Sequence, residues 1–514
     1  MAFDSLPSLN VKLNDKGLKI APQPTGPKVT LLGITSNSDI SLREPFQVTN
    51  IGQASSSLYF SGASGPTYPG ELALALEETV AGGASAVEIV VIGHYSGAQL
   101  EGIVAPTGSG PVTRYNDLAA AYDTIVNTNL DIVVPVGAWA DCTGVTGNFT
   151  NQLANFCEQA TNEFSNTCLG VIGMMPVTYW AQTWSAAGLT GNAILSGEAA
   201  ALTGEGSIRF DIPSISLVDE WVKYATQDDE DAGVSTAPLI ESTDGDFPTT
   251  FYNYLAGSND TAGVFYPENA DNAATDVSTS YWSSFQALDS AGTAQVDTKG
   301  NKVDAGRRVA VVGGPVVTTN NQILDLAKGL GKALSNTIYN TDGAAAYAGF
   351  INTLIPHSST TNKPVGALAA RRPLSGKQAN KLAARRITTF LNNTRGFVVA
   401  SGVTGAHNVS KYVRSDFVRL STIRIVDAAL AGVRAAAEPF IGEANNAIAR
   451  GAMSAEIDKF LFAMKAAGAL NDYEFYVSST PDQQVLGEVE ITMTLVPAFE
   501  ITKITQTVSL AKEL

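Results

Sequence analysis

Between Lys28 and Val177 the chain alternates two kinds of segment, and this alternation limits the fold more than any other feature. Compact apolar runs containing or ending on glycine read as buried strands: "KVTLLGITS" from Lys28, "AVEIVVIG" (86–93), "LDIVVPVG" (130–137) and "CLGVIGMMPV" (168–177). Between them lie segments with helical spacing. "PGELALALEETVAGG" has Pro69 at its start and Gly82 and Gly83 at its end, and "YNDLAAAYDTIVN" (115–127) and "FTNQLANFCEQA" (149–160) follow. Repeated strand–helix–strand units imply α/β architecture: a doubly wound parallel sheet covered by helices on both faces. The pattern lapses over about 185–300, where Gly, Ser, Thr, Asn and Asp dominate, as in "QDDEDAG" (227–233). That stretch reads as an irregular or partly β insertion. "RRVAVVGGPVV" (307–317) and "DGAAAYAGFINTLI" (342–355) resume the alternation.

From about Ser375 helices take over and predict a separate α+β module. "SGKQANKLAARRITTFLNN" opens with Ser375 and Gln378 at capping-box spacing. Ala383, Ile387, Phe390 and Leu391 would share one face of that helix, with Lys377, Lys381 and Arg385 opposite. A second helix is expected near Phe417–Val433, with Leu420, Ile423, Leu430 and Val433 inward. A third covers 454–468, with Ile457, Phe460, Leu461 and Met464 inward and a stop at Gly468.

Both extremities read as strands set off by proline. Leu9, Val11 and Leu13 alternate with polar residues ahead of the stiff connector "APQPTGP" (21–27). Near the other end Val489, Ile491, Met493 and Leu495 alternate with Glu and Thr until Pro497 interrupts. Phe499 and Ile501 keep that phase, whereas Ile504, Val508 and Leu510 are one residue out of step. A two-strand hairpin with a bulge after Ile501 is one reading of this change. The other is that the last segment does not belong to the sheet of the first.

Composition excludes several classes of function. Only 16% of residues are charged, and no window approaches 18 uninterrupted apolar residues, so no membrane-spanning helix is expected. "MAFDSLPSLNVKLND" lacks the basic start and apolar core of a signal peptide, which makes synthesis without export the expectation. The net charge of −17 is unevenly spread: residues 361–470 carry 16 Lys/Arg against 6 Asp/Glu, within an otherwise acidic chain. This basic region is either a surface for an acidic partner or a solvated face. Its cations are not interleaved with stacking aromatics, which argues against nucleic acid. Cys142, Cys157 and Cys168 match no zinc spacing; they read as buried small hydrophobes or as disulfide partners. No constellation supports catalysis, a cofactor or a metal. His94, His357 and His407 stand apart and no G-x-S-x-G elbow occurs, while Glu77–Glu78 and Asp228–Asp229 fall in contexts that look solvated.

Taken in order, several segments resemble the tail sheath proteins of contractile phages and related injection machines. They are "KVTLLGITSNSDISLREPFQVTNIGQASSSLYFSG", "GELALALEETVAGGASAVEIVVIG", "YNDLAAAYDTIVNTNLDIVVPVG", "ALAARRPLSGKQANKLAARRITTFL", "AAAEPFIGEANNAI" and "AAGALNDYEFYVSSTPDQQVLGEVEITMTLVPAFEITKITQTVSL". The resemblance implies a subtilisin-like α/β domain without catalytic residues over 28–374, a tube-facing α+β domain over 375–496, and linking arms at 1–27 and 497–514. It implies a non-enzymatic subunit that polymerises on itself in stacked hexameric rings, contacting the tail tube, baseplate and tail terminator proteins without nucleic acid or membrane insertion. Such a subunit would assemble in the host cytoplasm and reside in the virion tail. The same mechanics would serve a bacterial secretion or bacteriocin machine, and an atypical α/β hydrolase is the rival from another class. By the resemblance, Leu9, Val11, Leu13, Phe499, Ile501, Ile504, Val508 and Leu510 would be strands lent to neighbouring copies. Val489, Ile491, Met493 and Leu495 would lie on a receiving strand. The cations best placed to meet an acidic tube are Lys459 and Lys465, then Lys377, Lys381 and Arg385.

Overall fold

In the computed structural model the described residues are 28–174, 303–370 and 386–501, along with Thr293, Gly376, Ala379 and Ala383; the ranges are interrupted chiefly at 49–57, 62–66, 101–117, 320–339 and 407–415 and at a few shorter places. The N-terminal arm, nearly all of the 185–300 segment, Cys142, His407, Lys377, Lys381, Arg385, Ile504, Val508 and Leu510 fall outside them. The chain forms two compact units. The described residues of one are 28–354 and 360–419; those of the other are 355–359 and 420–501.

The larger unit is a mixed α/β domain built on a parallel-rich sheet. Its strands are β1 (Val29–Thr35), β2 (Phe46–Gln47), β3 (Val87–Ser96), β4 (Ile132–Pro135), β5 (Leu169–Gly173), β6 (Val309–Val312) and β7 (Ile387–Thr388). They lie in the order β7-β6-β5-β4-β1-β3-β2, and all the pairings from β7 to β3 are parallel. Among the described residues, only the edge strand β2 and the short segment Gln99–Leu100 run antiparallel to β3. The chain leaves central β1 for β3 on one side, then crosses back to β4 on the other, which is doubly wound topology. Strands β4 and β5 are apolar throughout because both faces are covered: Ile132–Pro135 and Leu169–Gly173 are buried at every position.

Helices α1 (Glu71–Ala81), α2 (Ala119–Ile125), α3 (Phe149–Asn162) and α4 (Ala344–Thr353) cover the sheet. Helix α1 has no solvated face: Leu72, Leu74, Leu76 and also Glu77, Glu78 and Thr79 are buried. The solvated context expected for Glu77 and Glu78 is therefore wrong. The cause is α4, whose backbone meets that of α1 at two glycines. A Cβ on Gly349 would lie 2.0 Å from the Thr79 carbonyl oxygen, and one on Gly82 would lie 2.3 Å from that of Ala346. A backbone atom cannot rotate away as a side chain can. Gly349→Ala is expected to destabilise the unit by about 1–3 kcal/mol or more, read as a lowered urea midpoint at unchanged slope.

The segment 375–393 departs from the helix expected there. Gly376, Ala379 and Ala383 are helical, but Arg386 turns into the left-handed region (φ 64°) and Ile387–Thr388 becomes strand β7, paired with Val311 and Val312. Phe390–Asn393 then forms a hairpin with Gly396–Val399. Ile387, Thr388 and Thr389 form a β-branched run that favours extended backbone, and completing the main sheet outweighs the helical spacing of the apolar residues. Residues 360–419 consequently cluster with the α/β unit, and the compact C-terminal unit starts at Leu420 rather than near 375.

Candidate intersubunit surface of the C-terminal unit

The C-terminal unit is a helix pair under a two-stranded sheet. Helices α5 (Leu420–Ala437) and α6 (Ala447–Ala466) pack through two rows spaced four residues apart: Ile425, Ala429 and Val433 against Met453, Ile457 and Leu461. Ala429 holds the buried position in the row, and Leu430, expected inward, is only half-buried. Phe460 lies over Gly432, where a Cβ would fall 1.8 Å from its ring. Asn446 caps α6, its Oδ1 accepting from the N–H groups of Ile448 and Ala449 at 2.9 Å. Gly468 (φ 79°) ends the helical run as expected.

Strands β8 (Leu470–Ser478) and β9 (Glu490–Pro497) pair antiparallel. They are joined by a short helix, Pro481–Leu486, whose Thr480–Gln483 capping box and left-handed Gly487 reverse the chain. Tyr473, Phe475 and Val477 stand opposite Leu495, Met493 and Ile491, and all six lean on the helix core. Glu474, Tyr476, Thr492 and Thr494 form the solvated face. Strand β9 is thus the alternating strand expected from Val489 to Leu495, with Val489 packed just ahead of it. No strand was expected over 470–478, although "DYEFYVS" carries the same period-two signal.

Two features distinguish this sheet. Among the described residues neither β8 nor β9 has a second strand neighbour, so each presents one edge of N–H and C=O groups with no strand beside it. The inward side chains of the sheet are also only half-buried, whereas Ile425, Ile457 and Leu461 beneath them are completely buried. A strand added at an edge would cover both the backbone groups and the flank of that apolar layer. Just after Pro497 the Ala498 N–H donates to the Ala469 oxygen at 3.0 Å. Phe499 and Ile501 are 58% and 82% exposed. These two residues keep the period of Ile491, Met493 and Leu495 but not their packing.

The expected cation sites fare differently. Lys459 pairs with Glu456 at 3.3 Å, and Lys465 pairs with Asp472 at 2.8 Å and lies 5.9 Å from the Tyr473 ring centroid. The hydrogen bond from Lys465 holds the Asp472 carboxyl below its ordinary range. Burial, then the hydrogen bond to Asp458, pushes the Tyr473 phenol up. Neither lysine is therefore an uncompensated charge. The basic excess lies elsewhere: residues 361–419 carry 11 Lys/Arg against one acid, while 420–501 carry 5 against 11. The C-terminal unit is acidic, and the basic region belongs to the α/β unit.

His94 sits on β3 opposite Thr35. Among the described residues no group of three His, Cys, Asp or Glu could hold a metal ion, and no helix is long and apolar enough to cross a membrane.

No family model and no curated protein matches the sequence. Solved structures do match. The helical sheath of the anti-feeding prophage in its contracted state aligns over 95% of this chain and 94% of its own, at 11% identity and a TM-score of 0.49. The sheath tail protein of Desulfitobacterium hafniense aligns over 97% and 99%, at 10% identity and a TM-score of 0.44. A match to the baseplate of the anti-feeding prophage is shorter, covering 39% of this chain and 55% of that one at 18% identity and a TM-score of 0.30.

Proposed function

We propose that the chain is the sheath subunit of a contractile tail or injection machine, polymerising around a tube and shortening to drive that tube through a cell envelope. The observation that carries this reading is the two-stranded sheet β8–β9, which presents two edges without a strand neighbour among the described residues and a half-covered apolar layer. The sequence supplies two proline-delimited segments whose apolar alternation would suit those edges, one around Leu9, Val11 and Leu13 and one from Phe499 through Ile501, Ile504, Val508 and Leu510. Each lent to a neighbouring copy would form five or six main-chain hydrogen bonds, about 1 kcal/mol each, with apolar burial in addition. The proline-marked connectors would let subunits rotate while the strands stay paired, so the lattice could change packing without dissolving. The work would then come from the free-energy difference between two packings, with no cofactor. The α/β unit would serve as a subtilisin-like scaffold without catalytic residues. Its basic segment, including Lys377, Lys381 and Arg385, is better suited to an acidic tube than the locally paired Lys459 and Lys465.

Removing residues 1–13 and 499–514 together should leave a folded chain with unchanged circular dichroism that sediments as single subunits. The full chain should form tubes with a helical repeat in negative-stain images. Intact cylinders from the doubly trimmed chain would refute strand lending.

A further inference from the structure

Cys157 and Cys168 are both completely buried free thiols, and their sulfurs lie 3.3 Å apart. Cys157 projects from the inner face of α3, and Cys168 immediately precedes β5. Their closeness does not depend on the sulfurs alone. The Thr161 hydroxyl donates to the Cys157 carbonyl at 2.9 Å and accepts from the Cys168 N–H at 3.3 Å, so one side chain ties the two backbones together. The loop between them is pinned as well: the Asn166 N–H donates to the Ala160 oxygen at 2.8 Å, and the Asn166 Nδ2 donates to the Val126 oxygen at 2.7 Å. A disulfide needs its sulfurs at about 2.05 Å. Side-chain rotation of a little over 1 Å would close the gap while these backbone ties stay in place.

We propose that Cys157 and Cys168 are a disulfide-forming pair, closed by exchange with a small disulfide oxidant into a staple between helix α3 and strand β5. The exchange balances as two cysteine thiols and one oxidant disulfide giving one protein disulfide and two oxidant thiols. A thiolate of the pair attacks the oxidant and releases its first thiol. The second cysteine sulfur then attacks the mixed disulfide and releases the other. Burial, then the neighbouring Cys168, pushes the Cys157 thiol well up, so it is a poor nucleophile while enclosed. The first attack therefore proceeds through local opening of the loop after α3, and the closed pair holds that loop shut. The proposal is independent of the sheath reading.

The test exposes the full chain to oxidised glutathione at mildly alkaline pH, both folded and during refolding from urea. Proteolysis after phenylalanine then separates all three cysteines, because Phe149 and Phe156 lie between Cys142 and Cys157 and Phe164 lies between Cys157 and Cys168. The expected product is a Cys157-to-Cys168 cross-linked peptide about 2 Da lighter than its reduced parts, with Cys142 outside it. The oxidised chain should melt several degrees higher than the reduced one. Cys142→Ser should keep both the link and the shift, and Cys168→Ser should lose both. A link through Cys142, separate glutathione adducts on Cys157 and Cys168, or a fully reduced pair after oxidative refolding would each overturn the proposal.

Discussion

Replacing Glu158 by Gln should destabilise the α/β unit by about 3–5 kcal/mol, seen as a lower urea midpoint with the slope unchanged. Glu158 is completely buried on α3 and is held by three side chains. Arg307 grips both of its carboxylate oxygens, with its Nε 3.1 Å from Oε2. The Arg308 Nε lies 3.5 Å from Oε2, and the Asn162 Nδ2 donates to Oε1 at 2.8 Å. The guanidinium of Arg307 also lies over the Phe417 ring, 5.1 Å from its centroid. This cluster ties α3 to the entry of β6 and to residues 416–418 of the same unit. Burial alone would push the Glu158 carboxyl up, but Arg307 and then Arg308 pull it below 4.5. Its contribution is therefore present above the ordinary glutamate range and lost as pH falls through the lower folded value. Gln keeps the shape and removes the charge that Arg307 and Arg308 face. Glu158→Gln with Arg308→Met should recover much of the loss, because two charges then leave the interior together. No recovery would mean that packing, rather than charge, sets the cost.

The legible parts of the fold were those where one local signal decides the outcome. Strands β1, β3, β4 and β5 appear as apolar runs because a parallel sheet covered on both faces leaves no polar alternation to confuse the reading. Helices α1 and α3 were readable from spacing and from terminators such as Gly82 and Gly83. The same sequence misled where tertiary structure competes with local preference. Ala383, Ile387, Phe390 and Leu391 have helical spacing, yet Ile387 and Thr388 complete the main sheet beside β6. Glu77 and Glu78 looked solvated because two adjacent acids usually are, and nothing nearby announces that α4 covers α1 through Gly349. In the candidate surface β9 was legible from its alternation. Strand β8 carries the same alternation in "DYEFYVS", next to the stronger terminal pattern. The compensation of Lys459 and Lys465 depends on Glu456 and Asp472, and the second of those contacts crosses from a helix to a strand. A charge count along the chain could not locate it.

Glu78→Gln should have the opposite pH signature to Glu158→Gln, and it should stabilise the protein above neutrality. Burial, then the nearby Asp342, raises the Glu78 carboxyl from 4.5 to about 8, against the opposing hydrogen bond from Thr341. The Thr341 hydroxyl donates to Oε2 at 2.9 Å, while Oε1 is buried with no hydrogen-bond partner. Protonated Glu78 suits this site and ionised Glu78 does not. Between about pH 4.5 and 8 the folded state holds a proton that the unfolded chain has released, so stability falls as pH rises through that window and levels off above it. At about 1.4 kcal/mol per pH unit the fall amounts to roughly 4–5 kcal/mol. Gln reproduces the neutral acid without a titrating proton. The variant should match the parent near pH 5 and exceed it at pH 9, with a flatter melting-temperature profile between. The parent profile should also decline below the ordinary glutamate range, where Glu158 is protonated, and Glu78→Gln should leave that acid limb unchanged. Parallel parent and variant profiles from pH 5 to 9 would show that Glu78 ionises freely and that its enclosure between α1 and Thr341 has been misread.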